Sequence, residues 1–344
     1  EQLAAISFTF PVSFIVGAIA MSLLSETTII PAFVQALTGS AILVGLVGAV
    51  FALGRYLPQL LGARLVLTAN ALLLGGAAVL GSVLAFRQGL LPLIDAVFQP
   101  GPELLSGLRR AGILLSAMAS YCAYVHWHER REATELRLRP VHLMLGGASG
   151  TVLVGLPIAV LFALGAYEKV LFRGVSPALW SVAVLIGIAA VLEELVYRCL
   201  LFRLLERALG TSIALAAQAL IFAVGHLENV PQGRTGDAVA MLVSVTLLGL
   251  LWGGLFVLAR NLWVVAANHA AWNFTILLSG VPLSGIEDWR ALAPFESRYA
   301  GPDWLTGGMF GPESSLLVIV STTVAVALLL RAARRRGVFL VPAT

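Results

Sequence analysis

Residues 191–198 read Val191-Leu-Glu-Glu-Leu-Val-Tyr-Arg198 and lie inside a long apolar run, about 180–205. Two adjacent carboxylates and a guanidinium sit where lipid or packed protein is expected. A charged side chain near the centre of a bilayer costs at least ~2.5–3.5 kcal/mol on insertion scales. Glu193, Glu194 and Arg198 therefore form a candidate functional site, and the rest of the chain reads as what surrounds and partners them.

The composition sets the solvent. Of 344 residues, 59% are hydrophobic and 12% are charged, and the mean hydropathy is +0.94. A soluble domain carries about 25% charged residues, so the chain reads as a polytopic membrane protein. The fold class expected is all-α, a transmembrane helix bundle of about ten spans, because each crossing takes ~20 apolar residues. The net charge of +4 comes from arginines at span ends and implies topology, not nucleic-acid binding. Cys122 and Cys199 both fall in apolar segments and give no disulfide framework. The first residues lack a basic stretch followed by a small-residue cleavage site, so no signal peptide is expected.

Apolar runs cover 6–24, 29–37, 41–61, 65–86, 111–127, 141–167, 180–205, 211–226, 238–259, 262–279 and 314–330. The first two read as one broken helix or a helix plus an interfacial turn. Residues 87–110, rich in Pro and Gly with Asp95 and Glu103, fit an interfacial or re-entrant segment. The most polar stretch, 128–140, is read as a short exposed helix or linker. It divides an N-terminal part of about four spans, 1–127, from a C-terminal core of about six spans, 141–344, with a basic tail. Trp289, Tyr299 and Trp304 in the loop 280–313 suit a membrane interface.

Positive charge orients the spans. One side receives 331–336, Arg260, Arg203, Arg207, the arginines of 130–139 and Arg64. The other receives Lys169, Arg173, Arg234, Arg290, Arg298, Arg87, Arg109 and Arg110, spread over longer loops. The denser set is placed in the cytoplasm, so both termini are expected there, in an integral protein of a bacterial inner membrane.

His126, His128 and His142 lie near the polar linker and read as solvated or interfacial. His226 and His269 lie in or at the end of apolar spans. Neutral imidazoles and carboxylates satisfy one another, and they also activate water. Glu194 and Arg198 are four apart, on one helical face, where they can pair. Glu193 points ~100° away, free to face a different neighbour. Phe222 and His226 are also four apart, as are His269 and Asn273. By helical rise, Glu193 and His226 lie roughly 20 Å from their cytoplasmic ends and His269 roughly 10 Å. Either the helix of His269 begins deeper, or the three do not share a level.

Glu193-Glu194-x-x-x-Arg198, Phe222-x-x-x-His226 and His269-x-x-x-Asn273 together resemble the three signatures of the CPBP family of intramembrane endopeptidases. That family includes the CAAX prenyl proteases and the Abi-type proteins. The resemblance covers about 141–336. It implies a hydrolase acting on a peptide bond of a membrane-associated peptide or protein. Glu193 would activate the hydrolytic water, and His226 would help hold it. His269 and Asn273 would stabilise the oxyanion, while Glu194, Arg198 and Phe222 support the site. Metal use stays open. Glu193, His226 and His269 would make a zinc set with one open position, or the same residues hold a water without metal. The zinc signature HExxH is absent, and the reading leans towards no tightly bound metal.

Two other functions are compatible with these residues. One is a non-catalytic immunity or partner-binding membrane protein. The other is a transporter component, since 25–31 and 44–58 look like the first hairpin of a major-facilitator transporter, with Glu26 a candidate partner for Arg55. Generic helices packed beside a protease core explain that segment better. The partners expected are membrane lipids and a peptide or protein substrate, with no nucleic acid; the oligomeric state is not legible.

Overall fold

The computed structural model describes residues 63–230, 235–283 and 290–341. The expected runs 6–24, 29–37 and 41–61, the hairpin with Glu26 and Arg55, and Trp289 all lie outside the described residues. The chain divides into two compact units, 1–67 and 68–344. All three signatures belong to the second.

The elements, in order, are α1 (Ala63–Leu84), a π-helical turn Ala85–Leu90, α2 (Leu91–Phe98), α3 (Pro102–Trp127), α4 (Pro140–Ala163) and β1 (Tyr167–Phe172). Next come α5 (Pro177–Glu194), a second π-helical stretch Leu195–Phe202, α6 (Arg203–Gly225), α7 (Thr235–Ala259) and α8 (Leu262–Ser279). β2 (Phe295–Tyr299), a one-turn α9 (Asp303–Thr306) and α10 (Leu316–Arg335) complete the fold.

Among the described residues, five stretches are long and apolar enough to cross a membrane: Leu65–Phe98, Pro140–Ala163, Pro177–Gly225, Thr235–Ala259 and Leu316–Arg335. The bundle is helical and membrane-embedded as expected, but ten spans are not reached among the described residues. Part of the difference is local. Pro177–Gly225 is 49 residues long and turns at Gly210, which takes φ 79° and ψ 165° inside α6. It therefore covers two of the expected runs. α3 carries Glu103, Arg109 and Arg110 in its first third, and α8 carries Asn268, His269 and Asn273. That polarity keeps both out of the set.

Residues 87–98, whose polarity implied an interfacial or re-entrant segment, continue the helix of α1 through the π turn into α2, and Pro92 leaves one helical carbonyl there without an N–H partner. The helix stops at Gln99, in the left-handed region at φ 46°. The all-α expectation also misses a short antiparallel pair, β1 with β2, running from Tyr167↔Tyr299 to Phe172↔Phe295 with a register shift between Lys169 and Leu171. Cross-strand charge pairs, Arg298 with Glu168 and Arg173 with Glu296 at 2.6 Å each, and stacked Tyr167 and Tyr299 rings hold it.

Close backbone approach organises the core. An added Cβ at Gly146 would collide with the carbonyl of Val264, and one at Gly150 with the carbonyl of Asn268. This small-xxx-small spacing lets α4 lie directly on α8. An added Cβ at Gly249 would lie 2.8 Å from Ala219 Cα, so α7 and α6 touch in the same way.

One end of the bundle gathers Arg131, Arg203, Arg207 and Arg260 of the denser set. The 128–140 segment is not a bare tether: Glu135 is buried, and the backbone carbonyls of Leu136 and Arg137 accept bonds from Trp263 Nε1 and Asn261 Nδ2, 2.8 Å each. Arg203 forks onto Glu129, and Arg260 binds buried Glu206 and the carbonyl of Val338. The C-terminal residues dock there too, with Leu340 N donating to Thr211 Oγ1 at 2.8 Å. Arg173, Arg290 and Arg298 lie with the β pair instead.

Candidate active site

Glu193 and Glu194 are the last residues of α5, at the point where the α-helix passes into the π-helical stretch Leu195–Phe202. A π turn widens the helix and shifts the faces that follow it; such turns cluster at functional sites. Ile186, Ala190 and Val191 bury the rest of α5 against its neighbours.

Glu194 is fully buried and takes partners from two helices. Its Oε2 lies 3.0 Å from Arg198 Nε, an ion pair in which the N–H is angled off the oxygen. Its Oε1 lies 2.8 Å from His269 Nδ1 on α8. Arg198 is also fully buried. Its guanidinium lies 4.7 Å from the centre of the Phe222 ring and 5.6 Å from that of Trp252, both cation–π distances. Nη2 reaches the carbonyl of Gly249 at 3.4 Å, a carbonyl that also accepts from Gln218 at 2.9 Å.

Glu193 differs from its neighbour. Its side chain is 37% exposed, and Oε2 lies 3.9 Å from His269 Nε2. Glu194 pairs with Arg198 and Glu193 does not, as the spacing implied, but both carboxylates also address one imidazole, at its opposite nitrogens, because α8 brings His269 up to the end of α5.

Because His269 touches Glu194, the two share a level. The polar linker packs on the start of α8 through Asn261 and Trp263.

Phe222 joins the second signature to the others. Its ring lies 4.5 Å from that of His226, 6.5 Å from His269, 5.8 Å from Trp252 and 4.9 Å from Tyr197. His226 closes the end of α6, and its Nδ1 lies 2.8 Å from the carbonyl of Phe222 one turn back. That bond leaves Nε2 as the nitrogen of His226 directed away from its own helix. Asn273 lies one turn beyond His269 on α8, and its Oδ1 is buried without a protein partner. Its amide is therefore not committed to the fold.

Three features of the site were not read from the sequence. Trp252 on α7 lies flat on His269, its Nε1 donates to Asn268 Oδ1 at 3.0 Å, and Asn268 Nδ2 donates to Ser149 Oγ at 3.0 Å. Asn268, polar within an apolar run and next to His269, was the signal available; the Trp252 stack is a contact between helices and left none.

Among the described residues no three His, Cys, Asp or Glu side chains lie close enough to share a metal ion. Glu193, His226 and His269 in this arrangement do not fit one.

Residues 175–275 match the family model described as Rce1-like: Type II CAAX prenyl endopeptidase Rce1-like. The match runs from just before α5 to the middle of α8 and contains all seven residues of the three signatures. It supports the CPBP and CAAX-protease resemblance over that stretch, and the apolar helices support an integral membrane protein. Comparison with curated proteins and with solved structures gave no match.

Proposed function

We propose that the chain is an intramembrane endopeptidase that hydrolyses a peptide bond in a membrane-associated peptide or protein. The observation that carries this reading is the unequal placement of the paired glutamates. Glu194 is sealed between Arg198 and His269, whereas Glu193 is part exposed and reaches the same histidine from the other side. One carboxylate builds the site and the other is free to act.

In this reading Glu193 removes a proton from water as its oxygen adds to the scissile carbonyl. The proton then passes to the leaving amine nitrogen when the C–N bond breaks. His226, with its Nε2 facing away from α6, holds the water. His269, held at Nδ1 by Glu194, presents Nε2 to the oxyanion, and Asn273 adds its amide. One donor aimed at a developing oxyanion contributes about 3–4 kcal/mol. Arg198 and Phe222 keep Glu194 and the two imidazoles in place. Residues 141–344 carry the catalytic core, with the termini and the arginine-rich end in the cytoplasm of a bacterial inner membrane.

The test pairs the purified wild type with Glu193→Ala in lipid vesicles carrying two reporters, a prenylated CAAX peptide and an unprenylated single-span protein. Cleavage of either by wild type and of neither by the variant is expected. Equal cleavage by Glu193→Ala sinks the proposal.

A second reading has its own support. Glu194, Arg198 and His269 are mutually paired and sealed, as a purely structural polar cluster would be. A non-catalytic immunity or partner-binding protein would keep full biological activity in Glu193→Ala.

A further inference from the structure

The π-helical stretch Leu195–Phe202 is held from outside the site. The carbonyl of Cys199 accepts two side-chain bonds, from Tyr121 Oη at 3.0 Å and from Arg203 Nε at 2.8 Å. A carbonyl has two lone pairs and can accept from both. Each donor is gripped in turn by the 128–140 segment. Tyr121 Oη shares its single proton between that carbonyl and the Glu135 carboxylate, and Arg203 forks onto Glu129 with two bonds of 2.5 Å. Arg131 ties the two glutamates together, at 2.8 Å to Glu129 and 2.7 Å to Glu135. Tyr121, Cys199 and Glu135 are buried.

We infer that Tyr121, Glu135, Glu129 and Arg203 are positioning residues for the proposed active site, acting as a clamp that fixes the π turn between Glu194 and Arg203. This rests on the catalytic reading for its consequence but not for its geometry. The physical need is angular. The same helix must turn Glu193, Glu194 and Arg198 towards His269 and, a few residues later, Arg203 towards the linker. In a regular α-helix each residue advances ~100°; the extra residue of a π turn resets that phase. Without an external hold the turn can slide along the helix, and each one-residue slip rotates the carboxylates relative to His269. The polar segment is thus a working part of the site, some 60 residues before the glutamates in sequence and joined to them through one backbone carbonyl.

The experiment uses the full chain in detergent and two conservative variants, Tyr121→Phe and Glu135→Gln. Cys199 is buried within the π turn and Cys122 is exposed, so the chain carries its own probe and reference thiol. In the variants, N-ethylmaleimide is expected to label Cys199 about tenfold faster or more, with the Cys122 rate close to wild type, which separates local opening of the turn from global unfolding. That tenfold corresponds to weakening the hold by ~1.4 kcal/mol, within the range for losing one hydrogen bond. Reporter cleavage is expected to lose about tenfold in kcat with KM unchanged. A Cys199 that stays protected in both variants overturns the clamp, as does wild-type kcat in a variant whose Cys199 has opened. If the wild type cleaves nothing, the catalytic reading fails, and Cys199 labelling alone still decides whether the linker holds the turn. If Tyr121→Phe unfolds, Glu135→Gln, which keeps the phenol and its bond to Cys199, carries the test.

Discussion

Trp252 lies flat on His269, with ring centres 3.7 Å apart and planes 18° from parallel. The indole fixes the plane of the imidazole, and its own orientation is fixed by the bond to Asn268. Trp252→Phe keeps a ring but loses that bond. It is expected to lower kcat about tenfold, one hydrogen bond's worth, while Trp252→Leu, which also removes the flat surface, falls further. Steady-state cleavage with KM measured separately checks this; loss confined to KM would mean that Trp252 contacts substrate instead.

The paired glutamates are expected to fail in different ways. Glu193→Gln removes a general base, a loss of about 10²–10⁴-fold in kcat, and leaves thermal stability near wild type because the group is part exposed. Glu194→Gln leaves the buried Arg198 without its counter-charge. Breaking a buried pair by removing one partner costs about 3–5 kcal/mol, so its thermal midpoint in detergent falls clearly. Equal midpoints for the two variants would contradict the division of labour.

Gly150→Ala tests whether α8 is positioned by α4. An added methyl meets the carbonyl of Asn268, the residue beside His269. Overpacking of this kind costs about 1–3 kcal/mol, and cleavage is expected to fall with stability. Gly147→Ala, with nothing within 4 Å of the added atom, is expected to be silent in both assays.

The linker network predicts an acid limit. Burial alone would raise the carboxyl pKa values of Glu129 and Glu135, but bonds from Arg203 and Arg131 to the first, and from Arg131 and Tyr121 to the second, outweigh it and lower both. A group with a lowered folded-state pKa contributes stability above its ordinary value and loses it as pH falls. The thermal midpoint is therefore expected to hold above pH 4.5 and decline below it. The double variant Glu129→Gln with Glu135→Gln should start lower and flatten that decline.

Much of this site could be read in the chain because its parts are local. The Glu194–Arg198 ion pair and the contact between the Phe222 and His226 rings both follow from a spacing of four on a helix. What escaped depends on neighbours far away in sequence. That both glutamates meet one histidine needs the packing of α8 against the end of α5, and the π turn over 195–202 has no sign in the sequence. The Trp252 stack needs the α7–α8 packing. The β1–β2 pair joins segments more than a hundred residues apart. The helix through 87–98 was hidden by Pro and Gly, residues that break soluble helices but are tolerated within membrane ones.

α8 has a consequence for how the protein is made. Its 18 residues carry two asparagines and a histidine towards the protein interior, and it is less apolar than its neighbours. Released alone into lipid it would have little reason to stay. Gly146 and Gly150 offer it a dry bed on α4, Glu194 a partner for His269, and Trp252 a partner for Asn268. All three surfaces are synthesised before it. The helix that completes the site is thus the one that depends on its elders for insertion, and the chain acquires its reactive centre only once the earlier helices have assembled.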